Sequence, residues 1–592
     1  MSSRLFQDQV ETKAWFFNMF LMNWLWLLIF LDLLAKKSLA MYSKRQGPDR
    51  SWDDASKRFR ANLDDLFLNN EISATRAQTL YSDGAACGHK WKKRAKVGKW
   101  GKSTKHTHRD LLRVMTSRSK WPDLYLAPVR VQCPKTGGVK TIMLPFLLPH
   151  ELIYSIGLFS AVEALFKQEG LCQASLSHLM RAIAELGHSL IPLGMWGDGT
   201  PCNFDRSQSI ETFSMNFPGQ TGPEANIRIC MTAINKKFMM KNVTCDDIMA
   251  VLAWSFKVLA TGTMPSVNHL GQPLTGKRAK LDGKALVRAV LVELRSDWMW
   301  LKSTFRFPQH NEKAGICWQC PCTPLDIRAC SDDAEWKQIR WTHMDMAQRM
   351  WQKGHSLSPI FSAPFFTSAQ ILVDWLHCAD LGVTADFLAS LLLLVCTKLQ
   401  LGSKALQVGH LWTRLQAYYR DEAVDSRLDM LKPSMLQQPK KSPKLRAKAA
   451  ECRNMVGFGL QLAREYLSND VPEEQAARVA MEHLHSCYCM LSPAVFNPDT
   501  MKHHSQLFCL QYVALEMFLP KLFHIKPKLH LFQELTQMSR SCPSLFRTYR
   551  DEEFGGTVAK VGRRRGGSNN PTATALCLLN KFRAGNELPF FR

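Results

Sequence analysis

Two aspartates stand where two apolar runs end. Asp198 falls in SLIPLGMWGDG, residues 189–199, and Asp297 closes ALVRAVLVELRSD, residues 285–297. Two carboxylates brought together repel unless a cation sits between them, and hard oxygen ligands suit Mg²⁺ or Mn²⁺. A pair of such ions can activate an attacking oxygen and stabilise the leaving oxygen of a phosphodiester. A third acid is needed, and TYRDEEFGG near the C-terminus offers Asp551, Glu552 and Glu553. Glu552 is the choice, with Glu553 its alternative. Gly197 and Gly199 flank Asp198 and remove side-chain bulk, which would let a phosphate backbone approach.

The elements that must position these acids follow from periodicity. Residues 189–199, 209–217 and 226–234 read as three strands joined by turns, although Pro192 is awkward inside a central strand. A helix is expected over 244–261, with Thr244 and Asp247 forming its cap and Gly262 ending it. The run 285–297 then supplies a fourth strand. Three meandering antiparallel strands, a crossover helix and a strand parallel to the first make the order expected of a ribonuclease H-like core. In that order the carboxyl ends of the first and fourth strands meet at one sheet edge, where open α/β sheets place ligands.

A second constellation is CWQCPC, which supplies Cys317, Cys320 and Cys322. One CxxC is half a zinc site, and His310, Cys330, His343 and His377 are candidates to complete it. DWLHCADLG sets Asp374, His377 and Asp380 near one helical face, where they could position a ligand or serve as a capped core helix.

Basic residues are concentrated between Gly88 and Trp121. Lys90, Lys92, Lys93, Arg94 and Lys96 are interleaved there with Trp91, Trp100 and Trp121, a pattern suited to phosphate contact and base stacking, or to a solvated linker. Arg563, Arg564 and Arg565 form a second cluster behind the third acid. Across 592 residues, 76 Lys and Arg exceed 51 Asp and Glu, a surplus of 25 that favours a polyanionic partner. At 46% hydrophobic the chain excludes whole-chain disorder, and its length excludes a disulfide-stapled mini-protein. The 18 cysteines lack the spacing of a secreted framework, which points to a reducing compartment.

Residues 15–35 are apolar apart from Asn18, Asn23 and Asp32 and are followed by Lys36 and Lys37. They are long enough to cross a bilayer, leaving the main body in the cytosol. Leu144 to Phe166 is expected to open a helical stretch with Pro149 near its start, and 381–538 to be almost wholly helical with a break at 432–444. The reading is α/β plus all-α, a ribonuclease H-like mixed sheet interrupted by a large helical insertion. Its segments are 1–45, a hydrophobic helix; 46–185, a basic helical region; 186–300, the first part of the core; 301–540, the CxxC segment and insertion; and 541–592, a closing helix and basic tail.

GDGTP, ELRSDW, NEKAGICWQC, DWLHCADLGV, KPKLHLFQEL and YRDEEFGG together resemble DDE/D transposases of the CACTA, Plavaka and hAT-like kind. They look especially like multicopy transposon-derived open reading frames of dinoflagellate type. The resemblance runs from near His108 to the C-terminus, about four fifths of the chain, and lacks an N-terminal zinc-finger DNA reader. It implies a core split by a helical insertion before the final Glu. It also implies Asp198, Asp297 and Glu552 as Mg²⁺ or Mn²⁺ ligands for DNA cleavage and strand transfer, with Cys317, Cys320 and His377 as a Cys/His zinc signature. DNA as partner, a homo-oligomer and a nuclear location follow. The alternatives are an inactive domesticated relative that binds nucleic acid, and a membrane-associated interaction protein anchored through 15–35.

Overall fold

The computed structural model describes residues 52–97, 106–117, 120–134, 136–203, 205–563 and 570–591. The apolar segment 15–35 therefore lies outside the described residues. Two compact units are present: the described residues of Met1–Phe67 with Ile72–Leu111, and Leu68–Glu71 with those of Leu112–Arg592. The first unit is helical, with Trp52–Leu68 and Ala74–Ala86 its longest helices. The second holds everything that bears on the acids, and it takes in residues 112–185, which the sequence groups with the basic region.

That unit is mixed α/β joined to a helical array. It opens with a hairpin, β1 (Tyr125–Gln132) against β2 (Val139–Phe146), that the sequence reading did not anticipate. Leu144 thus ends a strand, and the helix starts at Pro149, spanning Pro149–Gly157. β3 (Ile191–Pro201), β4 (Ser209–Asn216) and β5 (Ile229–Asn235) form an antiparallel meander. A helix, Thr244–Thr261, crosses back to β6 (Ala289–Arg295), which pairs in parallel with β3. β7, only Ile371–Leu372, adds in parallel to β6 and was not foreseen. The sheet order is β5-β4-β3-β6-β7.

Pro192 is tolerated because β3 pairs with β4 only from Gly194 onward. The missing N–H therefore interrupts no ladder on that side. β6 is buried on both faces, so its side chains serve two layers. Ala289, Leu291 and Leu294 join the main core, while Val290 and Val292 pack with Leu179, Ala182 and Leu190. At roughly 1.5–3 kcal/mol for each fully buried large apolar side chain, register is strongly specified there.

The crossover helix ends at Gly262, whose φ of 73° suits glycine, as expected. Its start differs from expectation. The Thr244 hydroxyl donates to the Arg130 carbonyl (2.6 Å), and Asp247 accepts from the Arg130 backbone N–H (2.8 Å). Both side chains therefore tie the helix to β1 instead of capping it. Between the two parts of the core site run the insertion helices, including Thr384–Lys398, Lys404–Asp421, Pro472–Cys489 and Pro498–Phe518. The stretch Leu376–Lys398 is long and apolar enough to cross a membrane, yet 94% of its most apolar window is buried within the protein.

Candidate active site

The parallel register pairs Trp196 with Arg295, so Asp198 and Asp297 leave the same edge two residues further on. The Ser296 hydroxyl donates to the Gly197 carbonyl and fastens the two chain ends just before the acids. Asp297 also starts the helix Trp298–Phe305, where its Oδ1 accepts from the Trp300 N–H. That cap fixes the carboxylate on the sheet edge.

The third acid arrives on the closing helix, Tyr549–Arg563, which packs on β3 and β4. A Cβ at Gly555 would stand 2.6 Å from Thr200 Oγ1 and 2.8 Å from the Trp196 ring. Glycine there permits the close approach that brings Glu552 to the edge. The alternatives separate cleanly. Asp551 is buried and paired with Arg228, while Glu553 is exposed.

Asp198, His377 and Glu552 each present a ligand atom within 4.8 Å of one another. His377 Nδ1 is hydrogen-bonded to Asp374 Oδ2 (2.7 Å), and its Nε2 lies 3.6 Å from Glu552 Oε1. Asp374 is itself held by the Thr548 backbone N–H (2.9 Å), which links the imidazole to the root of the closing helix. The site is electrostatically loaded. Burial and the neighbouring Asp297 push Asp198 up, and burial and Asp198 push Glu552 up to about 8 against the pull of His377. Burial pulls His377 down, but the Asp374 hydrogen bond and the charges of Asp374, Glu552 and Asp297 outweigh it and raise it to about 9. Burial and mutual repulsion thus disfavour the charged carboxylates, and a divalent ion between them would favour them.

The flanking glycines serve the fold. A Cβ at Gly197 would strike the Trp300 ring at 2.2 Å, and one at Gly199 would meet Glu211 Oε2 at 2.7 Å. They make room for protein groups, which replaces the phosphate-approach reading. Glu211 is the acid that sequence reasoning missed. It pairs with Gly199 across β3 and β4, is buried, and is pushed up to about 7, by burial first and by Asp198 and Asp297 against Lys236. The sequence carries little signal for it, because SIETFSMN mixes polar and apolar residues although nearly all of the strand is buried.

Cys317 and Cys320 do not meet His377. They meet His530 and Glu534, and these four buried residues each place a ligand atom within 4.8 Å of one another. Cys320 Sγ lies 3.4 Å from His530 Nε2, and the Gln319 N–H donates to Cys317 Sγ (3.3 Å). Burial opposes ionisation of Cys317, yet the Cys320 hydrogen bond and His530 bring it down to about 6. This group could hold a metal ion. The reason for the change of ligand is local: Asp374, one turn before His377, takes its Nδ1 and aims the ring at the acids. His530 lies in KPKLHLFQEL, a segment marked in the sequence without a ligand role. Asp380 positions nothing external, because Trp375, Tyr488 and Tyr549 all donate to its buried carboxylate.

The basic cluster is less free than its sequence suggests. Lys90, Lys93 and Lys96 are exposed, but Arg94 donates to Asp64 through Nε (3.0 Å) and Nη2 (2.7 Å). Trp91 is buried and stacked on His89 at 4.4 Å, and Trp121 is buried with its indole N–H on the Asn586 carbonyl. Neither tryptophan is a stacking platform for bases. Lys92 lies in the helix Lys92–Ala95 and Arg563 ends the closing helix, whereas Trp100, Arg564 and Arg565 lie outside the described residues. Compared with protein-family models and with curated proteins, the sequence matches none.

Proposed function

We propose that this chain is a DNA nuclease and strand transferase with a ribonuclease H-like core, using two Mg²⁺ or Mn²⁺ ions held by Asp198, Asp297 and Glu552. The observation that carries the reading is that ligand atoms of Asp198 and Glu552, from remote parts of the chain, lie within 4.8 Å of each other and of His377. Asp297, outside that group, stands two residues past the same register pair of the parallel strands and is near enough to raise Asp198 by its charge. The sheet order β5-β4-β3-β6-β7, antiparallel in its first half and parallel in its second, supports the fold assignment. The donor set fits a hard cation, because Glu552 Oε1 is buried without a hydrogen-bond partner and all three side chains offer oxygen. When bound, the ions would activate the attacking oxygen and stabilise the leaving one.

The chain's own residues prepare that chemistry. The Trp300 cap holds Asp297 in orientation, Asp374 fixes the ring of His377, and His377 sets a proton-bearing Nε2 beside Glu552. Protonated His377 offsets part of the negative charge of the acids before a cation arrives. For the second centre, sulfur and imidazole donors suit Zn²⁺. Cys317, Cys320 and His530 would be three ligands, with Glu534 or Cys322 the fourth, and Glu534 already accepts from Arg340 (2.7 Å).

Incubating the purified chain with labelled duplex DNA tests the reading. Cleavage is expected with Mg²⁺ or Mn²⁺ and not with EDTA, and Asp198→Ala, Asp297→Asn and Glu552→Gln should each lower the rate by at least about 10²-fold. Equal cleavage by all four proteins would remove the assignment. Salt-sensitive DNA binding without cleavage would favour the inactive nucleic-acid binder instead.

A further inference from the structure

In the insertion, the irregular chain after the short helix Pro433–Leu436 folds back over the apolar helix Thr384–Lys398, and the Leu445 N–H donates to the Ala385 carbonyl. This fold opens a cavity of about 290 Å³ lined by Gln438, Lys441, Ser442, Lys444, Arg446 and Lys526. Four of its six lining residues are cationic, and they come from two separate segments. Lys444 Nζ donates to the Leu381 carbonyl (2.8 Å), and Lys526 is paired with buried Asp386 (2.7 Å). Lys441 and Arg446 are exposed and have no ion-pair partner among the described residues. Like charges held around one concavity repel one another, so an anion entering it gains from all of them.

The same backbone leads to the acids. Two residues beyond Lys526, Lys528 donates to the His377 carbonyl (2.5 Å). It reaches there past Gly382, where a Cβ would stand 2.7 Å from Lys528 Cδ. One short segment therefore carries an amine into the cavity and another against the residue that faces Glu552.

We propose that this cavity binds a backbone phosphate of the nucleic-acid strand whose reacting bond lies at Asp198, Asp297 and Glu552, an assignment that rests on the function proposed above. The ligand chemistry is a phosphate group, and a free polyphosphate would offer the same chemistry, so the test carries an arm for each.

The full chain and two double variants, Lys441→Ala/Arg446→Ala and the control Lys280→Ala/Lys284→Ala on exposed lysines elsewhere, are titrated with fluorescent duplex DNA. Divalent cations are omitted, and anisotropy is read at several salt concentrations. The cavity variant should bind about tenfold more weakly and show a salt slope smaller by about 2, as loss of two phosphate contacts requires, while the control keeps the wild-type slope. Equal effects of the two double variants would overturn the proposal. So would pyrophosphate raising the melting temperature of wild type and not of the cavity variant while their DNA affinities match, since the site would then serve a free anion. Cleavage is assayed separately with Mg²⁺. Asp198-dependent cleavage with an unchanged slope would remove the cavity assignment alone, and absence of cleavage with the expected slope change would remove the nuclease reading alone.

Discussion

A carboxylate buried without a full counter-charge must either hold a proton or destabilise its surroundings, and Glu211 is in that position beneath the acids. Its nearest cation, Lys236, stands 3.6 Å away and is largely exposed, so it screens weakly. With the folded value raised to about 7, the stability that neutral Glu211 provides is complete below the unfolded value and is lost as pH rises through 7. Glu211→Gln removes that loss. The variant and wild type should therefore unfold at similar denaturant concentrations at pH 4.5, and the variant should gain up to about 3 kcal/mol at pH 8. A difference that does not grow with pH would show that Glu211 stays charged throughout. At this scale Asp198 and Asp297 were legible because each ends an apolar run, a local signal. Glu211 was not, because its partner Gly199 is set by strand register. His377 went to the wrong cluster because linear spacing does not say which way a ring turns, and the Asp374 hydrogen bond decides it.

Elements meet the acids at one narrow contact, the closing helix against β3. Gly555 sits 2.6 Å, measured from its would-be Cβ, from Thr200 Oγ1, whereas Gly556 faces open space. The two glycines look alike in sequence and should behave oppositely. Gly555→Val should lower stability by about 1–3 kcal/mol through overpacking, lift Glu552 from the edge, and reduce Mg²⁺-dependent cleavage with it. Gly556→Ala should stabilise the helix by about 0.5–1 kcal/mol and leave cleavage unchanged. Chemical denaturation and the cleavage assay read both effects, and similar losses in the two variants would show that the contact is not tight. Sequence foresaw the β3, β4 and β5 meander, the crossover helix and β6, because alternation and glycine-marked turns are local. The β1–β2 hairpin carries only a weak signal: YLAPVRVQ alternates in burial, but in residue type only over its last four positions. Its flanking basic run drew the whole region into a helical reading. β7 has two residues, too few for any periodicity to register, and only its neighbour β6 defines it.

For the molecule as a whole, the question is what holds the two ends of the helical insertion against the sheet. Cys317 and Cys320 stand on the loop that follows the helix after β6, and His530 and Glu534 stand where the insertion returns, 210 residues after Cys320 in the case of His530. A metal bound by both segments closes that long loop in the folded state, and its binding free energy adds to folding because an unfolded chain keeps no such site. The closure bears on the proposed chemistry, since Lys528, two residues before His530, touches His377 beside the acids. Elemental analysis of the purified chain should therefore find about one zinc per molecule, lost in Cys320→Ser and in His530→Ala together with several kcal/mol of stability. His377→Ala should keep its zinc and lose cleavage. This pair of histidine variants distinguishes the two ligand sets directly: zinc retained in His530→Ala and lost in His377→Ala would restore the assignment expected from the sequence. It would also mean that the imidazole beside Glu552 belongs to the Cys317 and Cys320 centre and not to the acid centre.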